Sequence, residues 1–486
     1  MSDTARDTSK EPVRKAVILG GGFAGLWAAY RLQQAGYRIE VLEKAEEPGG
    51  LLRTFHKEGF HFDLGPHIFL ESHLPFYEEL VRGDIRAVKG FYGFGFRRKQ
   101  IPSPIHPFNL LRMLGLSATV PMTASMVWGR IRNAFSRKPF DNVDELLSAR
   151  FGESINTHFF RNYIPKVTGH PARDVSTDWF TERYRFYQQH NLWRESIRKG
   201  LTSVRSLLQR RGTGEEGLVL YYPRCGAQMI TDALVQRLRR DGGQIRLATS
   251  VERIEVQGNR VLSITYHSAD SGRGKTSGDI FISTLPVNDL VRMMHPPPPN
   301  DVSEAARRLS YRRLALFYFI LRRKGLSDKI QIYFPEKQYC FKRIYEPKNL
   351  DDSMGSSNRS AICVEVCLGD QDGPFRAFSE AAYPSVLRGL EDFYGLREQE
   401  IESSFTREAE HAYAIYEKGY ERSLCSLARY LLRFDNLVSY GRQGSFRYNH
   451  LVDRVMDSFR PAFEFIRSHR TKREFLGDAA AKSDFF

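Results

Sequence analysis

The sequence predicts an α/β protein, and three observations carry that expectation. A short apolar strand, a glycine-rich turn, an apolar-periodic helix and a second strand follow one another between residues 15 and 43. A further strand and turn, DIFISTLPVNDL, return at residues 279–290, and alternating apolar runs such as LALFYFIL and IQIYFP occur within residues 305–430. Together they describe a Rossmann-type dinucleotide-binding domain around a parallel sheet, with a mixed α+β substrate domain inserted into it.

The first unit is the most specific. Ala16 to Leu19 form a strand, Phe23 to Gln34 an apolar-periodic helix, and Ile39 to Leu42 a second strand that ends at Glu43. Between them Gly20, Gly22 and Gly25 fit G-x-G-x-x-G. Gly20 allows the tight turn, Gly22 lets backbone approach a pyrophosphate, and Gly25 lets the helix pack closely on the strand, while the helix N-terminus offers N–H donors. Glu43, eighteen residues past Gly25, is placed to accept hydrogen bonds from a ribose.

Composition narrows the partners. The 486 residues carry 72 Lys and Arg against 57 Asp and Glu, a net charge of +15, with 41% hydrophobic and 27% charged residues. These values exclude a disordered, collagen-like or coiled-coil chain and point to an anionic partner: nucleic acid, acidic lipid, or a phosphorylated or carboxylated small molecule. No helix-turn-helix, zinc spacing or aromatic ribbon supports nucleic acid. Cys363 and Cys367, the two closest of five cysteines, share one face of a strand with no His nearby, so packing rather than a metal site is expected, in a reducing, cytoplasmic setting. The polar first 14 residues read as a loose tail. The uncharged stretch 113–129 is too short to span a membrane and is interrupted by Pro121. It reads either as a buried or substrate-lining helical pair or as a membrane-surface patch.

Downstream of Glu43 the runs KAEEPGGLLRTF and EGFHFDLGPHIF add a second glycine pair, Gly49 and Gly50, and a Gly65-Pro66-His67 turn. The chain resembles FAD enzymes of the amine-oxidase superfamily, specifically protoporphyrinogen-oxidase-like flavoproteins and the related UDP-galactopyranose mutases. NYIPKVTGHPARDVSTDW (162–179), YYPRCGAQMITDALVQRL (221–238) and YGRQGSFRY (440–448) extend the likeness over most of the chain. The resemblance implies a glutathione-reductase-like domain holding FAD non-covalently, since no flavin-tethering Cys motif stands near the C-terminus. Its cofactor residues would be Gly20, Gly22, Phe23, Ala24, Gly25, Glu43, Lys44, Gly49, Gly50, Leu51, Arg53, Gly65, Pro66, His67, Val251, Gly441 and Arg442. Catalytic or substrate-holding roles would fall to His67, Arg442, Tyr448, Tyr413 and Lys166; the histidine, tyrosines and lysine also fit ordinary packed or solvated positions. Thr168 stands where the family pattern has Trp, and the closing Tyr is followed by Asn449-His450-Leu451-Val452, with an acid only at Asp453.

These anchors divide the chain into a tail (1–14), a discontinuous FAD-binding domain (15–73, 210–290, 436–469), a mainly helical substrate-side region (74–209), a strand-rich substrate domain (291–435) and a C-terminal tail (470–486). The expected activity is oxidation of a small, anionic or amine-bearing substrate by hydride transfer to flavin N5. The alternatives are a redox-neutral nucleotide-sugar mutase and, more remotely, a non-enzymatic basic binding protein. Peripheral membrane contact and oligomeric state stay open.

Overall fold

Alternate residues of the strand Lys15–Leu19 enter two different cores. The computed structural model describes residues 13–90, 92–103, 107–134, 139–182, 218–448, 452–468, 470–476 and 485–486. Ala16 and Ile18 pack with the helix Phe23–Gln34, whereas Val17 and Leu19 join the core on the opposite face. A strand covered on both faces reads as an unbroken apolar run, as this one does. It lies at the centre of a five-stranded parallel sheet in the order Leu437–Ser439, Ile280–Ser283, Lys15–Leu19, Arg38–Leu42, Gln244–Arg246. The helices Phe23–Gln34, Gln228–Arg240 and Val452–Ser468 share the core on one face of it. The expected strand bounds agree with the structure to within one residue, and the first helix agrees at both ends.

A second, mixed sheet runs in the order Ile401–Ala414, Tyr311–Leu321, Ser360–Leu368, Arg343–Tyr345, Gln331–Tyr333, Tyr92–Phe96, Lys99–Pro102. Its long strand Tyr311–Leu321 also serves two cores. Phe317, Phe319 and Leu321 meet Val386 and Leu390 of the helix Phe375–Tyr394, while Leu316, Tyr318 and Ile320 share a core with Val17 and Leu19. Alternation along Ser360–Leu368 places Glu365 on the same face as Ala361 and Cys363, which belong to that shared core.

Residues 85–102 depart from the helical character expected of 74–209. Strands Ile85–Gly90, Tyr92–Phe96 and Lys99–Pro102 form there. Pairing decides the matter rather than local propensity: Tyr92–Phe96 lies parallel to Gln331–Tyr333, and Gly95 makes room for the Phe334 ring, which a Cβ would approach to 2.6 Å. The stretch 113–129 falls in two helices, Pro107–Leu114 and Leu116–Ala134. The second runs straight through Pro121, where an interruption is expected; Ser117 and Pro121 are both exposed, so the hydrogen bond that Pro cannot make is replaceable by water. Among the described residues no helix is long and apolar enough to cross a membrane. Expectations for residues 1–12, 183–217, 449–451 and 477–484 lie outside the described residues.

Candidate active site

Glycine turns from three distant parts of the chain meet at the N-terminus of the helix Phe23–Gln34. Gly20, at φ +106°, donates its N–H to the Leu42 carbonyl at 2.9 Å. Gly25 packs so tightly that a Cβ there would lie 1.9 Å from the Gly20 carbonyl oxygen. The second turn docks on the first: the Gly49 N–H donates to Gly21 at 2.9 Å, and a Cβ on Gly50 would stand 3.0 Å from the Gly22 Cα. The third arrives from the far end of the chain, where a Cβ on Gly441 would lie 2.9 Å from that of Ala24 and the Tyr440 hydroxyl donates to the Ala24 carbonyl.

Gly22 begins the helix with no side-chain cap, and the first turn holds no acid, so no side chain competes for its N–H groups. The buried Glu43 carboxylate accepts the Gly21 N–H at 2.6 Å and the Ala45 N–H at 2.9 Å, which fixes its direction. Phe23 is buried and Ala24 half-buried at the start of the helix. Leu51 lies in the single turn Gly50–Leu52, and Arg53 Nε donates to the Gly50 carbonyl at 3.1 Å, bracing that turn. Val251 follows Thr249, whose N–H bonds the Glu43 carbonyl at 2.7 Å, so its strand runs beside the acid. Lys44 instead forms an exposed ion pair with Glu410 at 2.5 Å. An uncapped helix start, backbone without side chains and one fixed acid suit the pyrophosphate and ribose of a dinucleotide.

The Gly65-Pro66-His67 turn is held from below by Asp63. Tyr318 and Tyr345 both donate to the Asp63 carbonyl at 2.7 Å, while its carboxylate accepts from Thr54 (2.6 Å), from the Ala227 N–H (3.2 Å) and from Tyr222. Burial pushes the Asp63 carboxyl up to about 6 against the pull of those hydrogen bonds. Beyond the turn, His67 Nδ1 is buried without a hydrogen-bond partner among the described residues. Burial, reinforced by Arg442 and Arg343, pushes His67 down to about 4, so the ring is neutral at pH 7.

His67 faces a cluster of cations. Arg343 lies directly across the strand pair from Glu365, and Glu365 binds Arg343 and Lys342 at 2.6 Å each. Burial alone would raise the Glu365 carboxyl; Arg343 and Lys342 hold it below its usual range. Lys342 Nζ donates to the Tyr413 hydroxyl at 2.6 Å, and Tyr413 stacks on Tyr448 with centroids 5.3 Å apart and planes 15° apart. The Arg442 guanidinium lies 5.3 Å from the Tyr413 ring and 5.1 Å from the Tyr448 ring, and it donates to the Ala412 carbonyl. Arg312, buried and paired in register with Tyr413, has an Nε without a hydrogen-bond partner among the described residues.

His67, Arg442, Tyr413 and Tyr448 are therefore brought together. Lys166 is held elsewhere: its Nζ donates to the carbonyls of Phe334 (2.8 Å), Glu336 (2.5 Å) and Phe341 (3.4 Å), and burial lowers it to about 7. Arg312, Lys342, Arg343 and Glu365 escape the sequence reading. Their signal is Glu365 itself, the one charge in the apolar strand SAICVEVCL, which requires buried partners on a neighbouring strand.

The sequence profile of the family described as flavin containing amine oxidoreductase matches residues 23–382, well over half of the chain. The chain belongs to that family. Its cofactor is FAD, and the glycine cradle and Glu43 suit it. Among curated relatives, the 1-hydroxycarotenoid 3,4-desaturase of Flavobacterium sp. (strain P99-3) is 24% identical over 70% of this chain and 70% of its own length. The L-amino acid oxidase of Bothrops pictus is 40% identical over 16% of each. Solved structures share the fold: reduced UDP-galactopyranose mutase has a TM-score of 0.77 at 21% identity, covering 97% of this chain and all of that one. A protein provisionally assigned as a protoporphyrinogen oxidase, from Exiguobacterium sp. 255-15, has a TM-score of 0.69 at 16% identity, covering 94% and 99%.

Proposed function

We propose that this flavoprotein is an oxidoreductase acting on a small anionic substrate, with Rossmann-type FAD binding by residues 15–73, 210–290 and 436–469. The observation that carries the reading is the charge balance beside His67: Arg343 and Arg442 both act on its ring, and Glu365 is the acid that Lys342 and Arg343 share. A buried surplus of positive charge attracts and orients carboxylate or phosphate oxygens, most strongly where water is excluded. FAD bound at the glycine cradle supplies the acceptor for a hydride. Contact with the Tyr413 and Tyr448 rings and the hydrogen bond to the Ala412 carbonyl restrict how Arg442 can turn, which limits the directions its donors present to the substrate. Neutral His67 offers Nδ1 as an acceptor for a substrate N–H or O–H proton. Glu365 keeps Lys342 and Arg343 in place without cancelling the surplus.

A second reading, a redox-neutral mutase of nucleotide sugars, is favoured by the Tyr413–Tyr448–Arg442 stack, whose aromatic faces and guanidinium suit a diphosphate-linked sugar. Screening the holoenzyme against amines, amino sugars, nucleotide sugars and porphyrinogens tests both. Net oxidation of an anion-bearing compound, with its neutral analogue inert, is expected; turnover confined to neutral compounds refutes the anionic site. An isomeric product made without net oxidation selects the mutase.

A further inference from the structure

The helix Leu116–Ala134 is packed inside out. Its buried residues are Ala118, Thr119, Met122 and Gly129, and Gly129 sits so close to the neighbouring helix that a Cβ would lie 2.8 Å from the Ser148 carbonyl oxygen. Five of its large apolar side chains face outward: Leu116 is 68% exposed, Val120 58%, Val127 49%, Trp128 66% and Ile131 46%. At about 100° per residue these five fall within an arc of about 120°. Arg130 and Arg132, both exposed, stand just outside the two edges of that arc. Leu111 and Arg112, at the end of the preceding helix, are exposed as well. A surface that turns five large apolar residues to water on one helix needs a partner.

Charge identifies the partner. Residues 85–140 contain ten Lys and Arg and no Asp or Glu, in a chain whose net charge is +15. Along this stretch of sequence the charges that flank the apolar face are all basic. An anionic bilayer surface matches both features, because apolar side chains enter the acyl boundary while flanking arginines meet phosphate headgroups. We propose that the outer face of the helix Leu116–Ala134 seats the protein on the surface of an anionic lipid bilayer, with Leu116, Val120, Val127, Trp128 and Ile131 inserted and Arg130 and Arg132 on the headgroups. The helix lies in the interface and does not cross it. This surface is independent of the oxidation chemistry proposed above.

The test is sedimentation of the full-length holoenzyme with phosphatidylcholine vesicles, with and without phosphatidylglycerol. Binding to the mixed vesicles is expected, weakening about fivefold for each of Arg130→Gln and Arg132→Gln and at least tenfold for Leu116→Glu with Ile131→Glu. The flavin spectrum of each variant reports an intact fold. Trp128 gives the position directly: the part of the emission that Trp128→Phe removes should shift to the blue on binding, because Trp128 is 66% exposed in the free protein. Equal sedimentation of wild type and the double Glu variant overturns the proposal. So does protection of Trp128 from acrylamide without vesicles, because the face is then covered by a second copy or by another part of the chain.

Discussion

Gly65 stands directly on Glu365. A Cβ at Gly65 would lie 3.2 Å from the nearer carboxylate oxygen, and the backbone there has φ +87°. The turn that carries His67 thus rests on the anion that organises Lys342 and Arg343. A side chain at position 65 meets both backbone strain and the ion pair, so Gly65→Ala should cost about 1–2 kcal/mol of stability and raise KM more than it lowers FAD content. Denaturant melts beside steady-state kinetics check it; an unchanged KM would separate the turn from the substrate site.

The two fingerprint glycines should fail in different ways. Gly25→Ala places a methyl 1.9 Å from the Gly20 carbonyl and should forfeit folding, whereas the nearest atom to a Cβ on Gly22 is 3.7 Å away. Gly22→Asp should therefore fold but purify colourless, its carboxylate occupying the place of a phosphate. A yellow Gly22→Asp protein would remove the loop from the cofactor site.

Replacing Glu365 by Gln leaves Lys342 and Arg343 buried without a counter-charge. Breaking a buried ion pair from one side costs about 3–5 kcal/mol, which chemical denaturation would register. A change below about 1 kcal/mol would mean that other groups or water already screen the cations.

Arg442→Ala should lower kcat/KM for an anionic substrate by about 10- to 100-fold, the value of one charge-assisted hydrogen bond, with melting temperature little changed. Arg442→Lys keeps the charge but loses the planar fork of donors, and should recover only part of the activity.

His67 predicts a pH signature. Its native value is about 4 against an ordinary 6.5, so between those limits the unfolded chain binds the extra proton. Wild-type stability relative to His67→Gln should be level above pH 7, fall as pH drops from about 6.5 to about 4, and level again below. Parallel melting curves across that window would show that His67 is not held neutral.

The first unit was legible because backbone chemistry dictates it: Gly20, Gly22 and Gly25 have local, period-specific reasons to stand where they do. Gly441, Arg442 and Tyr448 could be placed only through a family likeness, since nothing local brings them to Ala24 or Tyr413. Arg312, Lys342, Arg343 and Glu365 are joined by strand pairing across residues 312–413, and register is not written in any single strand. Lys166 misled because a lysine in a matched motif gives no sign that three carbonyls will claim it. The outward apolar face of Leu116–Ala134 was visible as composition, but which side faced water depended on Gly129 and Ser148 meeting.

Anaerobic single-turnover mixing of oxidised holoenzyme with an anion-bearing substrate tests the central claim most directly. Loss of the visible flavin band, a product two hydrogens lighter, and a rate that falls in Arg442→Ala are expected. A band that never bleaches, with an isomer formed only by enzyme reduced beforehand, would contradict it.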